Sequence, residues 1–540
     1  MHEKIMELAL KRGFLLPSNE LYGHISGFYD YGSVGTPMKR KIEDAWRDFF
    51  VRRDGAWEIE TVTILPEIVL RASGHVGHFA DPLIECKSCK RKFRADTLLY
   101  EHAQKELEKL KGGPGDEATQ KVHARVALSE TAGSEEHEKR LREHLARLPS
   151  MKPQEMSERI RKEGIRCPKC SGELAEVGWF NLMFKTNIGP VEGNPGYTRP
   201  ETAQGIFLAF PRVFRAHGAK LPIVIAQVGK SFRNEISPRQ ALMRLREFTQ
   251  MELEYFFNPS NPSHPRFAEV ANEKLRLLTR EAQQSGEEKE TEMAAKEAVE
   301  KKIIPNEIMA YYLVREAQFY RAMGVPEERF RFRHMLPEET PHYSGGNFDL
   351  EVKTSFGWVE TIGNAYRTDY DLRSHAEMSK QDLSVFVEEE RKKIIPHVVE
   401  PSFGVDRLFW CVLESCYRKG GGAEGRDWEW FDFPPAIAPF DCAVLPLMKK
   451  DGLAEKAQDV AARLREDGLG VFYDESGSIG RRYARQDEIG TPYCITIDYD
   501  TLKDDTVTIR FRNDGKQMRE HLEHLAQTIR RFQKEGKVTL

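Results

Sequence analysis

The sequence predicts a mixed α/β chain of several domains, on three observations. At 540 residues the chain is too long for one ordinary hydrophobic core, so two to four domains are expected. Between residues 177 and 258 short strand patterns alternate with turns, as in "WFNLMFKT", "PIVIAQVGKSFRNEI" and "LMRLREFTQMELEYFF", and strands return at "RFRFRHML", "NFDLEVKT" and "GWVETIGN". After the Gly-rich "RKGGGAEGRDWEW" and the Pro-rich "FPPAIAP", strand and helix patterns alternate in a small α/β domain over 436–540.

Taken in order, "MHEKIMELALKRGFL" reads as a charged amphipathic helix, with acidic residues too early for a secretory signal or an acid-poor transit peptide. A helix follows at "GTPMKRKIEDAWRDFFVRR", then a strand at "WEIETVTILP". A tract rich in Glu, Lys, Arg and Ala runs from about 101 to 163 and reads as a solvated insertion, the inserted region as a whole spanning 84–176. A second insertion, read as helical, occupies about 264–325 within bounds of 260–335. Both interrupt a first domain of residues 1–432, and 436–540 is the second domain.

Hydrophobic residues make up 40% and charged residues 31%, the composition of a soluble globular protein. The net charge of −4 gives no global reason to bind nucleic acid, although a local basic surface is compatible with it. No run of 18 apolar residues exists, so no membrane partner is expected. The eight cysteines do not form a disulfide scaffold, and two CxxC pairs point to a metal in a reducing compartment, hence a cytoplasmic location.

The stretch "FRNEISPRQALMRLREFTQMELEYF" (232–256) raises the sharpest chemical question. Read as a hairpin, it puts Arg233 and Glu235 on one face of the first strand. On the second strand Arg246, Phe248, Gln250 and Glu252 share one parity, while Met243, Leu245, Thr249, Met251, Leu253 and Tyr255 share the other. A wet amphipathic hairpin is the plain alternative, but a phenyl ring among charges wants a flat partner. Guanidinium for phosphate, carboxylate for an amino group and a ring for stacking together describe a nucleotide site.

Cys86-x-x-Cys89 and Cys167-x-x-Cys170 ("CKSC", "CPKC") each suit a zinc knuckle, and together they supply four thiolates for one tetrahedral Zn²⁺. The 77 residues between the pairs exceed ribbon spacing unless the charged insertion loops out; unmetallated thiols are the alternative. A four-thiolate site has no open position, so such a zinc is structural. Cys411, Cys416, Cys442 and Cys494 read as ordinary buried small residues.

"FRNE" followed by "REFTQME" resembles motif 2 of the class II aminoacyl-tRNA synthetases, and "EPSFGVDRLFW" (400–410) resembles motif 3, with Gly404 and Arg407 entering a helix. "KRKIEDAWRDFF" and the strand ending at Pro66 resemble motif 1, the dimerisation element. "FYDYG", "ASGHVGHFADP", "FRAD", "RPETAQGIF" and "RTDYDL" narrow the likeness to the glycyl-tRNA synthetases of the dimeric, single-chain type, nearest the archaeal and eukaryotic branch. The likeness covers most of the chain outside the two insertions. It implies a class II catalytic domain on an antiparallel sheet and a C-terminal α/β anticodon-binding domain. It also implies a two-fold homodimer through about 35–66, and a reaction joining glycine to tRNA(Gly) with ATP and Mg²⁺.

The resemblance implies roles residue by residue. Arg233 would hold the α-phosphate and the glycine carboxylate, Glu235 the adenine amino group, and Phe248 one face of adenine with Arg407 on the other, reaching the γ-phosphate. Asn234, Met243, Arg246, Thr361 and Gly404 would complete the ATP site, with Glu360 as a Mg²⁺ ligand. Glu201 would accept the glycine ammonium, joined by Arg94, Phe248, Gln250, Glu252, Glu400, Ser402 and Gly404. No amino acid is smaller than glycine, so exclusion by packing suffices and no editing domain is expected.

In the C-terminal domain, "GSIGRRYARQDEIGTPYCITID" puts Arg481, Arg482 and Arg485 beside Tyr483, a set suited to unstacked anticodon bases, with Arg510 and Arg512 extending the patch. Threonyl or prolyl synthetases and a non-catalytic nucleic-acid-binding paralogue are the rival readings. The first would want a Cys/His/His catalytic metal set in the threonyl case, and the second would lose the arginines that stand at 233 and 407.

Overall fold

The computed structural model describes residues 1–110, 141, 147–148, 151–190, 193–238, 241–286, 289–340, 344–423 and 425–540. Most of the charged tract read at 101–163 lies outside the described residues; its flanks are the helices Ala95–Leu110 and Pro153–Lys162.

A nine-stranded sheet organises the first domain. Its order is Thr291–Ala294, Lys274–Leu278, Phe330–His334, Asn347–Thr354, Gly357–Thr368, His397–Gly404, Glu247–Phe257, Ile223–Phe232 and Trp57–Glu58. The pairs are antiparallel except Lys274–Leu278 with Phe330–His334 and Ile223–Phe232 with Trp57–Glu58. On Glu247–Phe257 alternate residues face opposite ways. Met251, Leu253, Tyr255 and Phe257 enter the main core together with the helices Glu307–Ala322 and Val405–Cys416. Both helices are buried on nearly every face, Val405–Cys416 with mostly apolar side chains and Glu307–Ala322 with Arg315 and Glu316 buried among its apolar ones. The opposite face carries Phe248, Gln250 and Glu252 and is closed lower down by the helix Ala203–Ala216, whose Phe210 stacks on Phe256.

Two readings of local structure need correction. "WEIETVTILP" is two strands in different sheets, because the Thr61 hydroxyl and carbonyl are drawn to Gln227 and Arg199, breaking the run between Glu58 and Ile64. The second insertion is not purely helical. Lys274–Leu278 and Thr291–Ala294 extend the sheet edge, with alternating Leu275 and Leu277 buried beneath them, so period-2 burial overrides the helix propensity of its Glu, Lys and Ala residues.

A second sheet lies at the C-terminal end, in the order Val471–Tyr473, Cys442–Pro446, Tyr493–Ile497, Thr506–Phe511 and Gln517–His521, over a core of its own. Its last two strands form a hairpin that the alternation of polar residues did not reveal. No helix among the described residues is long and apolar enough to cross a membrane.

Candidate active site and metal centre

The site grows from the hairpin. Ile223–Phe232 and Glu247–Phe257 pair with Gln227 opposite Glu252 and Gly229 opposite Gln250. The strand expected to carry Arg233 and Glu235 stops at Phe232, because the Asn234 N–H donates to Leu182 O at 2.6 Å and the Glu235 N–H to Arg233 O at 2.7 Å. The Arg233 N–H still reaches Arg246 O at 2.9 Å, so the turn holds both arms together. Asp406, in the first turn of Val405–Cys416, accepts from Thr249 N–H and from Tyr31 O–H, each at 2.6 Å, which keys this helix start to the hairpin.

A cavity of about 280 Å³ opens over this face. At one end the Arg233 guanidinium contacts Phe79 and Phe248, 5.3 and 5.2 Å from the ring centres, with its Nε on Pro200 O at 3.2 Å. Beyond it the carboxylates of Glu201, Glu252, Glu254, Glu400 and Asp371 gather around one guanidinium, Arg367. Arg367 donates to Glu400 at 2.9 Å and to Asp371 at 2.7 and 3.0 Å, while Glu201 lies 3.9 Å away.

The environments of these acids differ. Burial opposes the ionisation of Glu201, yet His75, Arg367 and the Gln204 amide outweigh it and hold its carboxyl far below the usual range. Burial pushes Glu400 up to about 8 against the pull of Arg367. It also raises Glu252 and Glu254, each with a carboxylate neighbour adding to the effect. Glu252 accepts from the Thr202 hydroxyl, Gln250 donates to Ser402 Oγ at 3.1 Å, and both Glu254 oxygens lack a partner among the described residues. Buried carboxyls that burial holds back from ionising, grouped around one arginine, are electrostatically suited to a further small cation, which favours their charged form.

At the other end Arg407 donates from Nε to Met243 O at 3.0 Å and from Nη1 to Glu360 O at 2.7 Å, with the Glu360 carboxylate 3.3 Å away. Glu235 is buried, and its Oε2, which takes no hydrogen bond among the described residues, stands 3.6 Å from Arg244 Nε. Asp349 faces Glu360 across the same wall; burial and Glu360 raise its carboxyl well above the usual range. Two hard oxygen donors that repel each other fit a Mg²⁺ ion. Thr361 and Gly404 complete this wall, the Thr361 hydroxyl donating to Leu350 O at 3.1 Å.

Three residues from the sequence reading stand apart from this cavity. Asn234 is not among its walls. Arg246 donates to the carbonyls of Ser26 at 2.7 Å and Glu235 at 2.8 Å, so its guanidinium braces the turn. Arg94 is gripped by Asp81 and Asp96, each at 2.5 Å, and lines an adjoining cavity of about 590 Å³ that shares Arg244, Glu360 and Arg407. Conversely, Arg367, Arg244, Asp349 and His75 were not singled out. Arg367 lies within the quoted "RTDYDL", but its position among distant acids is a product of the sheet.

The four cysteines converge, every pair of sulfurs lying within 4.8 Å. The knuckles are near copies. Cys86 N–H meets Arg91 O at 2.9 Å and Lys90 N–H meets Cys86 O at 3.0 Å; Cys167 N–H meets Gly172 O at 3.0 Å and Ser171 N–H meets Cys167 O at 2.9 Å. Lys90 and Ser171 both take positive φ, 58° and 56°. A Cβ on Gly172 would stand 2.6 Å from Ser88 Oγ, so glycine lets the knuckles close on each other. The backbone N–H of Cys89 helps lower the Cys86 thiol to about 6. Although the Gly172 N–H favours its thiolate, Cys170 is pushed up to about 12 by its thiol neighbours. Such a soft, mutually repelling donor set fits a Zn²⁺ ion.

The basic patch is smaller than the sequence suggested. Arg481 is exposed. Arg482 is 2% exposed and donates to Pro446, Leu447 and Gly477 carbonyls, and Arg485 is held by Asp474 at 2.6 and 2.8 Å. Arg510 pairs with Asp487, and Arg512 is buried on Gly490 and Phe433 carbonyls. Helix periodicity turns Arg482 inward while Arg481 faces out.

Comparison with known proteins adds an independent line. The family described as "tRNA synthetase class II core domain (G, H, P, S and T)" matches residues 192–416, "Glycyl-tRNA synthetase insertion domain 1" matches 81–182, and "Anticodon binding domain" matches 441–532. A "Glycine--tRNA ligase" of Methanothrix thermoacetophila is 41% identical, covering 98% of this chain and 96% of its own. Those of Methanocaldococcus jannaschii and Pyrococcus horikoshii are each 39% identical, over 99% and 98% of both chains respectively. A prolyl-tRNA synthetase structure from Cryptosporidium parvum, complexed with halofuginone and AMPPNP, superimposes with a TM-score of 0.54 at 11% identity. It covers 99% of this chain and 77% of its own, a likeness of fold.

Proposed function

The chain belongs to the glycine–tRNA ligase family, and from that premise we propose how its residues divide the work. The reaction is the ATP- and Mg²⁺-dependent activation of glycine to glycyl-adenylate with release of pyrophosphate, followed by transfer of glycine to tRNA. Activation asks the protein mainly for positioning and for neutralising charge that builds on the α-phosphate.

Arg233 would bridge the α-phosphate and the glycine carboxylate, its guanidinium already in contact with two rings. Glu235, whose buried Oε2 takes no hydrogen bond among the described residues, would accept from the adenine amino group, and Phe248 would stack on the base. Arg407 would close the other face of adenine and reach the γ-phosphate, and Arg244 adds a guanidinium beside it. Asp349 and Glu360 would hold Mg²⁺, which offsets triphosphate charge. Glu201, kept ionised, would take the glycine ammonium, with Glu252 and Glu400 behind it. The acid cluster next to Arg233, one pole for each end of a zwitterion, carries this reading.

Cys86, Cys89, Cys167 and Cys170 would hold a structural Zn²⁺ that pins the ends of the insertion together. Exposed Trp57, Val62, Ile64 and Ile68 support a homodimer through the segment of about 35–66. Arg481 would meet the tRNA anticodon, and the protein would work in the cytoplasm.

ATP–pyrophosphate exchange with glycine, alanine, serine, threonine and proline, each offered alone, tests the site. Exchange with glycine only is the expected result. Exchange with a larger amino acid overturns the closed pocket, and none with any overturns the assignment of the site.

A further inference from the structure

The segment "ASGHVGHFADP" supplies contacts at both poles of the cavity, His75 to Glu201 and Phe79 to Arg233, but its backbone has been given no role so far. The helix Glu67–Ala72 ends at Gly74, whose φ of 83° turns the chain into the short helix His75–His78, and Phe79 then leads into the strand Ala80–Glu85. The turn is fastened from outside. Asn181 Nδ2 donates to Val76 O at 3.2 Å and to His75 O at 3.4 Å, and the Leu182 N–H donates to Phe79 O at 3.0 Å.

Within that frame His75 Nδ1 is hydrogen-bonded to Ser73 Oγ at 2.7 Å, while Nε2 points to Glu201 Oε2 at 3.5 Å. An ionised carboxylate only accepts, so Nε2 carries the hydrogen towards Glu201 and Ser73 fixes the ring's orientation through Nδ1. Four residues on, the Phe79 ring centre lies 5.3 Å from the Arg233 guanidinium carbon, which is 5.2 Å from that of Phe248. Two cation–π contacts locate the guanidinium, and its Nη atoms remain available for a carboxylate.

We propose that the Ser73–Phe79 turn sets the distance between the two poles that read glycine: His75 positions Glu201 for the ammonium, and Phe79 positions Arg233 for the carboxylate. The inference rests on the assignment of Glu201 and Arg233 to the two ends of glycine. Because one rigid turn carries both supports, the pole-to-pole spacing is fixed by local geometry instead of by side-chain contacts that glycine cannot offer.

The test is a glycine and ATP kinetic series by pyrophosphate exchange on Glu201→Gln, His75→Leu, His75→Gln, Phe79→Leu and Phe79→Tyr, with the double variant Glu201→Gln/His75→Leu. His75→Leu is expected to raise the glycine KM about 10-fold, the scale of one charge-assisted hydrogen bond, with the ATP KM within about twofold. His75→Gln, which keeps a donor, should restore most of the loss, and Phe79→Tyr should outperform Phe79→Leu in the same way. In the double variant His75→Leu should add almost nothing, since it acts through Glu201. Equal rises in both KM values, or fully additive effects, overturn the proposal and leave the turn merely structural. An unchanged glycine KM in Glu201→Gln overturns the assignment of the ammonium pole itself, whereas a raised value there with no effect at His75 overturns only the turn's role.

Discussion

Arg233 and Phe248 make a cation–π contact: the guanidinium carbon lies 5.2 Å from the ring centre, and the side chain's Nε is anchored on Pro200 O. Ring and carbonyl together hold the guanidinium in place. Arg233→Ala should therefore lower kcat/KM for glycine-dependent exchange by at least about 10²-fold, as loss of one preorganised donor at a developing charge does. Arg233→Lys should recover little, because an ammonium is a point charge without the planar fork that can bridge a phosphate and a carboxylate. Near-normal exchange by folded Arg233→Ala protein would remove Arg233 from the reaction.

Glycine binding should depend on pH through Glu400. Burial raises its carboxyl to about 8, so near neutrality it is largely protonated in the free protein, whereas an incoming ammonium favours the ionised form. Glycine affinity should then rise with pH towards about 8 and flatten above it, by up to about tenfold per unit if one proton is released. The stability sign is opposite. With a folded pKa above the unfolded one, the stabilisation is complete below the ordinary carboxylate range and fades as pH rises towards 8. Glycine titrations by calorimetry in two buffers of different ionisation enthalpy should show proton release near pH 7, and Glu400→Gln should abolish that part. No buffer dependence in the parent protein would contradict the coupling.

The two halves of this site were unequally legible. Phe248 and Glu252 could be read because one strand displays them in register, and Arg233, Glu235, Glu400 and Arg407 because the motifs that carry them are contiguous in the chain, although the strand expected under Arg233 and Glu235 stops at Phe232. Arg367 and His75 could not, since each matters through a partner more than 30 residues away in the chain. The surface patch failed for a related reason. Composition sees three arginines in "GRRYAR", but helix geometry gives Arg482 to the backbone and Arg485 to Asp474, and only Arg481 faces outward. The edge strands at 274–278 and 291–294 were missed because Glu and Lys on their wet face mask a period-2 pattern.

Protein prepared without chelator should carry about one zinc per chain, as a tightly bound four-thiolate site does. Removing it, or substituting Cys167→Ser, should lower Tm and expose the insertion to proteolysis, because the small core around Ile84, Phe93 and Met156 encloses Cys86 and Cys167. Metal content below about 0.3 per chain by plasma mass spectrometry would count against the site.

Light scattering at micromolar concentration should return twice the 62.2 kDa chain mass. Val62→Glu and Ile64→Glu together should shift the protein towards monomer, since an exposed apolar run is the surface a second copy would cover. A monomeric parent would contradict the two-fold arrangement.

Arg481 and Arg482 are neighbours with opposite expected phenotypes. Arg481→Ala removes an exposed charge, so it should weaken tRNA binding and flatten its salt dependence by about one unit of log–log slope, with Tm nearly unchanged. Arg482→Ala takes a guanidinium from three backbone carbonyls in a buried setting and should cost about 2–4 kcal/mol of stability in the C-terminal unit. Its effect on tRNA should follow the unfolded fraction and vanish where the protein remains folded. The decisive comparison is filter binding of tRNA over a salt series, with unfolding curves for both variants. If Arg482→Ala lowered the salt slope while leaving Tm intact, its guanidinium would belong to the tRNA contact after all, and the buried network would be dispensable.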